Sequence, residues 1–156
     1  MKANMEIRAR REKLGLDIAE VAKRALVGID AYQDIELYDD EAYAVVPLRD
    51  MRAICRVLDM DMISLFDADG RLSKVGKANQ VRADLPRNAL ASKQRIARNI
   101  THEELGDRIG FETSVIEQIE SDPDFLEQWS IELIERLALE LGLPTVALLQ
   151  RPERAP

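Results

Sequence analysis

Cysteine and histidine, the side chains most used for nucleophilic and metal chemistry, each occur once in this chain, as Cys55 and His102. A cysteine nucleophile needs a histidine base beside it, and these two residues fall in different halves of the sequence. A single histidine excludes a multi-histidine metal site, and a single cysteine excludes an intrachain disulfide. Neither a Walker phosphate loop nor a dinucleotide-binding glycine fingerprint is present. We therefore predict a protein that is not an enzyme and has no cofactor and no metal.

The composition is that of an ordinary globular protein, with 46% hydrophobic residues in a chain of 156. No stretch has the length of a membrane-spanning helix, and the first residues contain no apolar signal region. Cys55 falls on an apolar helical stripe, where we expect it to be a small buried hydrophobic residue. These features predict a cytoplasmic protein with no membrane partner.

Charge is distributed unevenly along the chain, whose net charge is −7. Residues 1–67 carry 10 basic and 14 acidic groups, residues 68–98 carry 8 and 2, and residues 99–156 carry 4 and 13. The overall negative charge argues against a polyanionic partner. The middle segment is nevertheless a basic island between two acidic domains.

A pair of short helices joined by a tight turn is predicted in the second half of the chain. Thr101 followed three residues later by Glu104 is the pattern of a capping box, which opens a helix. Gly110 permits the positive φ that closes this helix in a turn. The two helices have apolar stripes made by Leu105, Ile109, Val115, Ile116 and Ile119. Two short helices joined in this way are a helix-turn-helix signature.

The same pattern occurs once more, 84 positions earlier. Asp17 and Glu20 repeat the capping pattern there, so the chain is predicted to contain an internal repeat. The turn glycine expected at Leu26 is absent, and Gly28 lies two positions later. We therefore expect the first turn to be longer or reshaped.

The second copy resembles the helix-turn-helix domain of the phage-repressor family (Cro/CI-like, also called XRE), over about fifty-five residues. The matching residues are Arg95, Thr101, Leu105, Gly110, Ile116, Ile119, Glu120, Leu137, Ala138, Leu141, Gly142 and Leu143. The resemblance implies an all-α fold of two tandem five-helix, lambda repressor-like domains. We expect a divergent helix-turn-helix domain at residues 1–67, a basic linker at 68–90, a second helix-turn-helix domain at 91–150 and a tail at 151–156.

Two pairs of opposite charges occupy equivalent places in the repeat. Arg11 and Glu36 are separated by 25 positions, as are Arg95 and Glu120. In the family the equivalent residues form a partly buried ion pair that joins helix 1 to helix 3. Two unrelated surface charges are the alternative, but the recurrent spacing favours a structural ion pair in each domain.

The resemblance implies that the first residues of helix 3 read DNA bases and that the start of helix 2 holds a phosphate. In the second domain the base-contacting positions fall on Thr113, Ser114 and Gln118, and the phosphate position falls on His102. Threonine and serine can contact either kind of base pair, and glutamine can bond adenine bidentately. An ordinary polar helix surface is the alternative.

The first domain departs from this pattern. Its equivalent positions are Ile29, Asp30 and Asp34, and two carboxylates are poorly suited to the negative potential of a DNA groove. Neither proposed reading face has a lysine or arginine in or directly after helix 3, although phosphate contacts by cations supply most DNA affinity. The basic linker is the nearest source of positively charged side chains. Its candidate phosphate contacts are Arg71, Lys74, Lys77 and Arg82.

Two functions remain open. The first is a transcriptional regulator that binds double-stranded DNA through the second domain. The alternative is a non-enzymatic protein-binding module, antiactivator-like or antitoxin-like, that docks a basic partner through acidic helix-3 faces. We favour the first because most relatives bind DNA. The two copies could also pair internally, or the chain could form a homodimer through exposed residues such as Tyr38 and Tyr43.

Overall fold

The structure is a computed structural model that describes residues 2–73 and 85–150. It is 71% helical, and the described residues contain no strand. The predicted all-α class is therefore confirmed. None of the described helices is both long enough and apolar enough to cross a lipid bilayer.

The chain divides into two compact units. The first runs to Arg71 and includes Trp129–Ile131, and the second comprises Leu72–Gln128 and the residues from Glu132 onward.

The first unit contains α1 (Ala3–Lys13), α2 (Ile18–Ala25), α3 (Ile29–Leu37), α4 (Leu48–Val57) and α5 (Met62–Ala68). A single π-helical turn at Glu41–Val45 precedes α4. Aliphatic and aromatic side chains spaced along the helices form the core, and the largest of them are Ile7, Tyr32, Ile35, Leu48, Met51, Ile54, Leu58 and Phe66. Amphipathic stripes of this kind fold because they bury apolar area on one side of each helix.

The second unit contains α6 (Arg87–Ala97), α7 (His102–Ile109), α8 (Thr113–Ser121), α9 (Ile131–Leu141) and α10 (Thr145–Leu149), with a 3₁₀ turn at Phe125–Gln128. Its buried side chains include Leu90, Leu105, Ile109, Ile116, Ile119, Leu126, Ile134, Leu137, Leu141 and Leu148. The apolar stripes predicted for α7 and α8 therefore face the core, as do Ile134, Leu137 and Leu141 of α9.

The turn between α2 and α3 differs from the expectation. Residues 26–28 connect α2 to α3, and residues 110–112 connect α7 to α8, so the two turns have the same length. Leu26 itself adopts the left-handed conformation, with φ of 58°, as Gly110 does with φ of 83°. The prediction of a longer turn is wrong because Leu26 is 91% exposed, so its side chain meets no packed neighbour in this conformation. The left-handed conformation of Leu26 still lowers the stability of the fold by about 1–2 kcal/mol.

The boundaries of the predicted linker also change. The first compact unit continues past residue 67 to Arg71. Helix α6 begins at Arg87, so residues 87–90, which were assigned to the linker, form its first turn. Residues 74–84, which include Lys74, Lys77 and Arg82, lie outside the described residues.

Candidate functional site

The ion pair between Arg95 and Glu120 ties α6 to α8. Arg95 Nε donates to Glu120 Oε1 at 2.5 Å, and Nη2 donates to Oε2 at 3.2 Å. Arg95 Nη1 donates to the Ile100 carbonyl at 2.8 Å, and His102 Nε2 lies 2.9 Å from Glu120 Oε2. Burial alone would raise the pKa of Glu120, but the hydrogen bonds from Arg95 and His102 outweigh it and lower the pKa below its ordinary value. The pair predicted from the spacing is present.

Helix α7 is fixed at its start by a capping box. The Thr101 hydroxyl accepts from the Glu104 amide at 3.1 Å, and the Glu104 carboxylate accepts from the Thr101 amide at 3.0 Å. Two of the amides that a helix N-terminus leaves unpaired are thereby satisfied. The cap and the ion pair together orient α7 and the helix that follows it.

The solvent-exposed face of helix α8 carries side chains that can form hydrogen bonds. Thr113, Ser114 and Gln118 are all exposed, while Ile116 and Ile119 are buried on the opposite side. The three predicted base-contacting residues therefore share one accessible face. Side chains four positions apart lie one turn apart on a helix, so Ser114 and Gln118 are neighbours along this face.

His102 has a more constrained position than expected. It is the first residue of α7, as the phosphate-contacting role requires, but its Nε2 is engaged by Glu120. Only its other ring nitrogen is left for a ligand. Sequence reasoning missed this contact because the two residues are 18 positions apart and meet only when α7 crosses the end of α8.

Arg71 is not the free linker cation that was predicted. Its guanidinium lies 2.8 Å from Asp40 Oδ1 and 2.8 Å from Asp69 Oδ2. It also stacks over the Tyr43 ring at 5.0 Å from the centroid. Two carboxylates neutralise this arginine inside the first unit, so we withdraw it as a phosphate contact. Tyr43 is likewise occupied within its own unit, 6.3 Å from the Phe66 ring, and is a poor candidate for dimer contacts.

A buried arginine that sequence reasoning missed lies at the start of α6. Arg87 Nε donates to the Pro123 carbonyl at 2.7 Å, and Arg87 Nη2 lies 3.1 Å from Glu127 Oε1. Arg87 was counted in the linker because no local pattern distinguishes it from exposed cations. Of the basic island, Arg71, Arg87 and Arg95 therefore serve internal ion pairs, whereas Lys93 and Arg98 are exposed.

The first unit repeats the ion pair with a different third donor. Arg11 Nε donates to Glu36 Oε1 at 2.6 Å, and Nη2 donates to Oε2 at 2.9 Å. The Tyr32 hydroxyl donates to Glu36 Oε1 at 2.7 Å from within the core. Burial, reinforced by the hydrogen bond to Glu36, raises the pKa of Tyr32 above its ordinary value, so it remains a donor.

The exposed face of α3 carries different chemistry from that of α8. Ile29 and Asp30 are exposed and Asp34 is partly exposed, at the places where α8 has Thr113, Ser114 and Gln118. Leu26 and Leu37 extend the apolar part of this face at its two ends. The face combines carboxylates with aliphatic groups.

Cys55 lies in the core of the first unit. Cys55 is buried, and desolvation raises the pKa of its thiol to about 12, so it is unreactive at neutral pH. No group of three or more histidine, cysteine, aspartate or glutamate side chains in the described ranges could hold a metal ion.

Comparison with known proteins assigns no family to the chain. No protein-family model, no curated protein and no solved structure matches it. The inference of function therefore depends on the side chains that the two units expose.

Proposed function

We propose that the chain is a DNA-binding transcriptional regulator and that α7 and α8 form its helix-turn-helix, with α8 as the helix that enters the major groove. The observation that supports this most directly is the exposed face of α8 with Thr113, Ser114 and Gln118. Side chains of these types can bond base edges, and glutamine can recognise adenine with two hydrogen bonds.

The helix order supports the finer fold that this proposal requires. In each unit, two short helices joined by a three-residue turn lie between a longer first helix and two further helices. The ion pair from the first to the third helix recurs in both units. We propose that both units are helix-turn-helix domains related to the phage-repressor family.

Phosphate binding must come from cations outside the reading face. Glu112, Glu117 and Asp122 are exposed on or beside α8, and they oppose the approach of DNA. Exposed Lys93 and Arg98, together with Lys74, Lys77 and Arg82 from outside the described residues, are the cations we propose for phosphate contacts. His102 already donates to Glu120 through Nε2, so it could donate to a phosphate only with both ring nitrogens protonated. With so few cations, binding should be weak, and it should fall less steeply with salt than that of a protein with many phosphate contacts.

The first unit is not proposed to bind DNA. Asp30 and Asp34 stand at the positions that would face the groove, and neither forms an ion pair with a described residue. Burying two uncompensated carboxylates against phosphates would be unfavourable.

An electrophoretic mobility assay with genomic fragments at low ionic strength tests the proposal. Replacing Gln118 and Thr113 with alanine should reduce the preference for the selected fragment by about tenfold or more, because a good bidentate base contact contributes about 1–3 kcal/mol. Glu103→Gln, on the exposed side of α7, is the matched control and should leave the preference unchanged. Equal binding by the wild-type chain and the double variant would exclude α8 as the reading helix.

A further inference from the structure

A continuous surface of apolar and acidic side chains runs along α3 of the first unit. We define the α3 surface by the residues Leu26, Ile29, Asp30, Asp34 and Leu37. Four of them are exposed and Asp34 is partly exposed. They fall on one side of the helix because Tyr32, Ile35 and Glu36 occupy the buried side. The surface is therefore a helix face that no described element of the unit covers.

A groove between α1 and α3 adjoins one end of this surface. Its volume is about 430 Å³, and its lining includes Leu37, Met5, Arg8 and Asn4. Met5 and Leu37 are both exposed, so the groove offers two apolar walls to an entering side chain. Asn4 is buried, and its Oδ1 has no hydrogen-bond partner within the described ranges. The groove thus has apolar walls, while Asn4 Oδ1 lies below its surface without a hydrogen-bond partner among the described residues.

The carboxylates of the α3 surface differ from those around them. Their neighbours are paired within the unit: Glu36 with Arg11, Asp39 with Lys2, and Asp40 with Arg71. Asp30 and Asp34 form no ion pair with any residue in the described part of the chain. One turn of helix separates them, so together they present two negative charges on one face.

Leu26 adds an exposed apolar side chain to this surface at a cost to stability. A leucine in the left-handed region is disfavoured by its own Cβ, and 91% of its surface is exposed. Glycine would remove the strain and the apolar exposure together. Strain and exposed apolar area of this kind concentrate at binding surfaces.

We propose that the α3 surface docks a partner protein through a basic amphipathic helix. Apolar residues of the partner would contact Leu26 and Ile29 at one end and enter the groove beside Leu37 at the other. Its lysine or arginine side chains would meet Asp30 and Asp34. The nine residues of α3 span roughly 14 Å, so a partner helix of about three turns covers the surface.

Other occupants fit less well. Duplex DNA would place phosphates against two carboxylates, and it gains little from aliphatic contacts. A second copy using the same surface would set Asp30 and Asp34 against their own equivalents, and like charges in an interface are repulsive. The proposal does not depend on DNA binding by α8, since it concerns a different unit.

The probe is a fluorescein-labelled synthetic peptide of 14 residues in which leucine and lysine repeat at helical spacing. Its binding to the full chain is followed by fluorescence anisotropy. Asp30→Asn combined with Asp34→Asn should raise the Kd about tenfold, through loss of two complementary charges. The matched control is Glu103→Gln combined with Asp107→Asn, an exposed pair with the same spacing on α7, which should leave the Kd unchanged.

The apolar contribution is tested with Leu26→Gly. This change should raise the Kd roughly threefold while raising the melting temperature, so weaker binding could not be explained by unfolding. Ile96→Ser, which removes an apolar side chain that is 63% exposed on α6, is the control and should not alter the Kd.

The proposal would be overturned if the Asp30/Asp34 variant and the Glu103/Asp107 variant lost affinity for the peptide equally, because only the net charge of the chain would then attract it. An unchanged Kd for Leu26→Gly, or self-association that Leu26→Gly abolishes, would each overturn it as well.

Discussion

Each of the two units contains an arginine–glutamate ion pair, but the third hydrogen-bond donor to the glutamate comes from the core in one unit and from the surface in the other. In the first unit the third donor to Glu36 is the buried hydroxyl of Tyr32, and in the second unit the third donor to Glu120 is the partly exposed ring of His102. In each unit three hydrogen bonds reach the carboxylate from an arginine and one other side chain. The arginine–glutamate pair is therefore common to both units, whereas the residue that supplies the third hydrogen bond differs between them.

The solvent-exposed faces of α3 and α8 differ more than the two ion pairs do. At three equivalent positions α8 exposes hydroxyl and amide groups, whereas α3 exposes carboxylates and an aliphatic group; at a fourth, α8 exposes Glu117 and α3 exposes Gln33. Their inward sides are alike: each carries a buried isoleucine, Ile35 or Ile119, next to the glutamate of the ion pair, which is buried in α3 and partly buried in α8. The two helices are thus alike on the side that packs in the core and differ on the side that faces solvent.

The largest expected effect comes from removing the shared carboxylate. Glu36→Ala and Glu120→Ala should each destabilise their own unit by about 3–5 kcal/mol, because an arginine is left buried without its partner. Urea denaturation combined with amide hydrogen exchange in α3 and α8 measures the two units separately. Glu117→Ala, on the exposed side of α8, is the control and should have little effect. A loss below 1 kcal/mol in either unit would show that its pair is not structural.

A second comparison concerns the equivalent positions Ala22 and Gly106. A Cβ added at Gly106 would collide with the carbonyl oxygen of Phe111, whereas Ala22 is accommodated in the core of the first unit. Gly106→Ala should therefore destabilise the second unit by about 1–3 kcal/mol. Ala22→Gly should cost about 1 kcal/mol in the first unit, through helix propensity and lost packing. If thermal denaturation showed Gly106→Ala to be stabilising, the close approach of the α7–α8 turn would be disproved.

The turns between the paired helices give a third comparison. Leu26→Gly should stabilise the first unit by about 1 kcal/mol, because glycine adopts positive φ without strain and little apolar area is lost. Gly110→Ala should destabilise the second unit by a similar amount, about 1 kcal/mol. Melting temperatures of the two variants should therefore move in opposite directions. Movement in the same direction would contradict the equivalence of the two turns.

The smallest effect is a pH dependence in the second unit. The folded-state pKa of Glu120 lies below its ordinary value of 4.5, because Arg95 and His102 favour its charged form over the opposing effect of burial. Its carboxylate therefore stabilises the folded unit above pH 4.5, and this contribution is lost as the pH falls through the folded-state pKa. The unfolding free energy of the second unit, measured between pH 6 and pH 3, should decrease more steeply in the wild type than in Glu120→Gln. Identical slopes would contradict the lowered pKa.

Local patterns in the sequence predict much of this fold. The capping residues Thr101 and Asp17 mark the starts of α7 and α2, and the apolar spacing marks the buried side of each helix. The recurrent separation of 25 residues identifies both ion pairs. These features could be predicted because each depends on one helix or on a spacing that occurs twice.

Other features depend on contacts that no local pattern encodes. Arg71 and Arg87 look like linker cations in the sequence, yet carboxylates 31 and 40 residues away fix them inside their units. Leu26 was expected to alter its turn because glycine usually occupies that position, but solvent exposure lets leucine adopt the same backbone conformation. The exposed side chains of α8 were predictable in position, and their ligand was not.

Titration of the isotope-labelled full chain with a selected duplex at low ionic strength, followed by NMR, tests most directly the claim that α8 reads DNA and α3 does not. We predict that amide resonances of Thr113, Ser114 and Gln118 shift with added DNA, that those of Ile29, Asp30 and Asp34 do not, and that salt reverses the shifts. Shifts confined to α3, or no shift in either unit at low salt, would contradict the account.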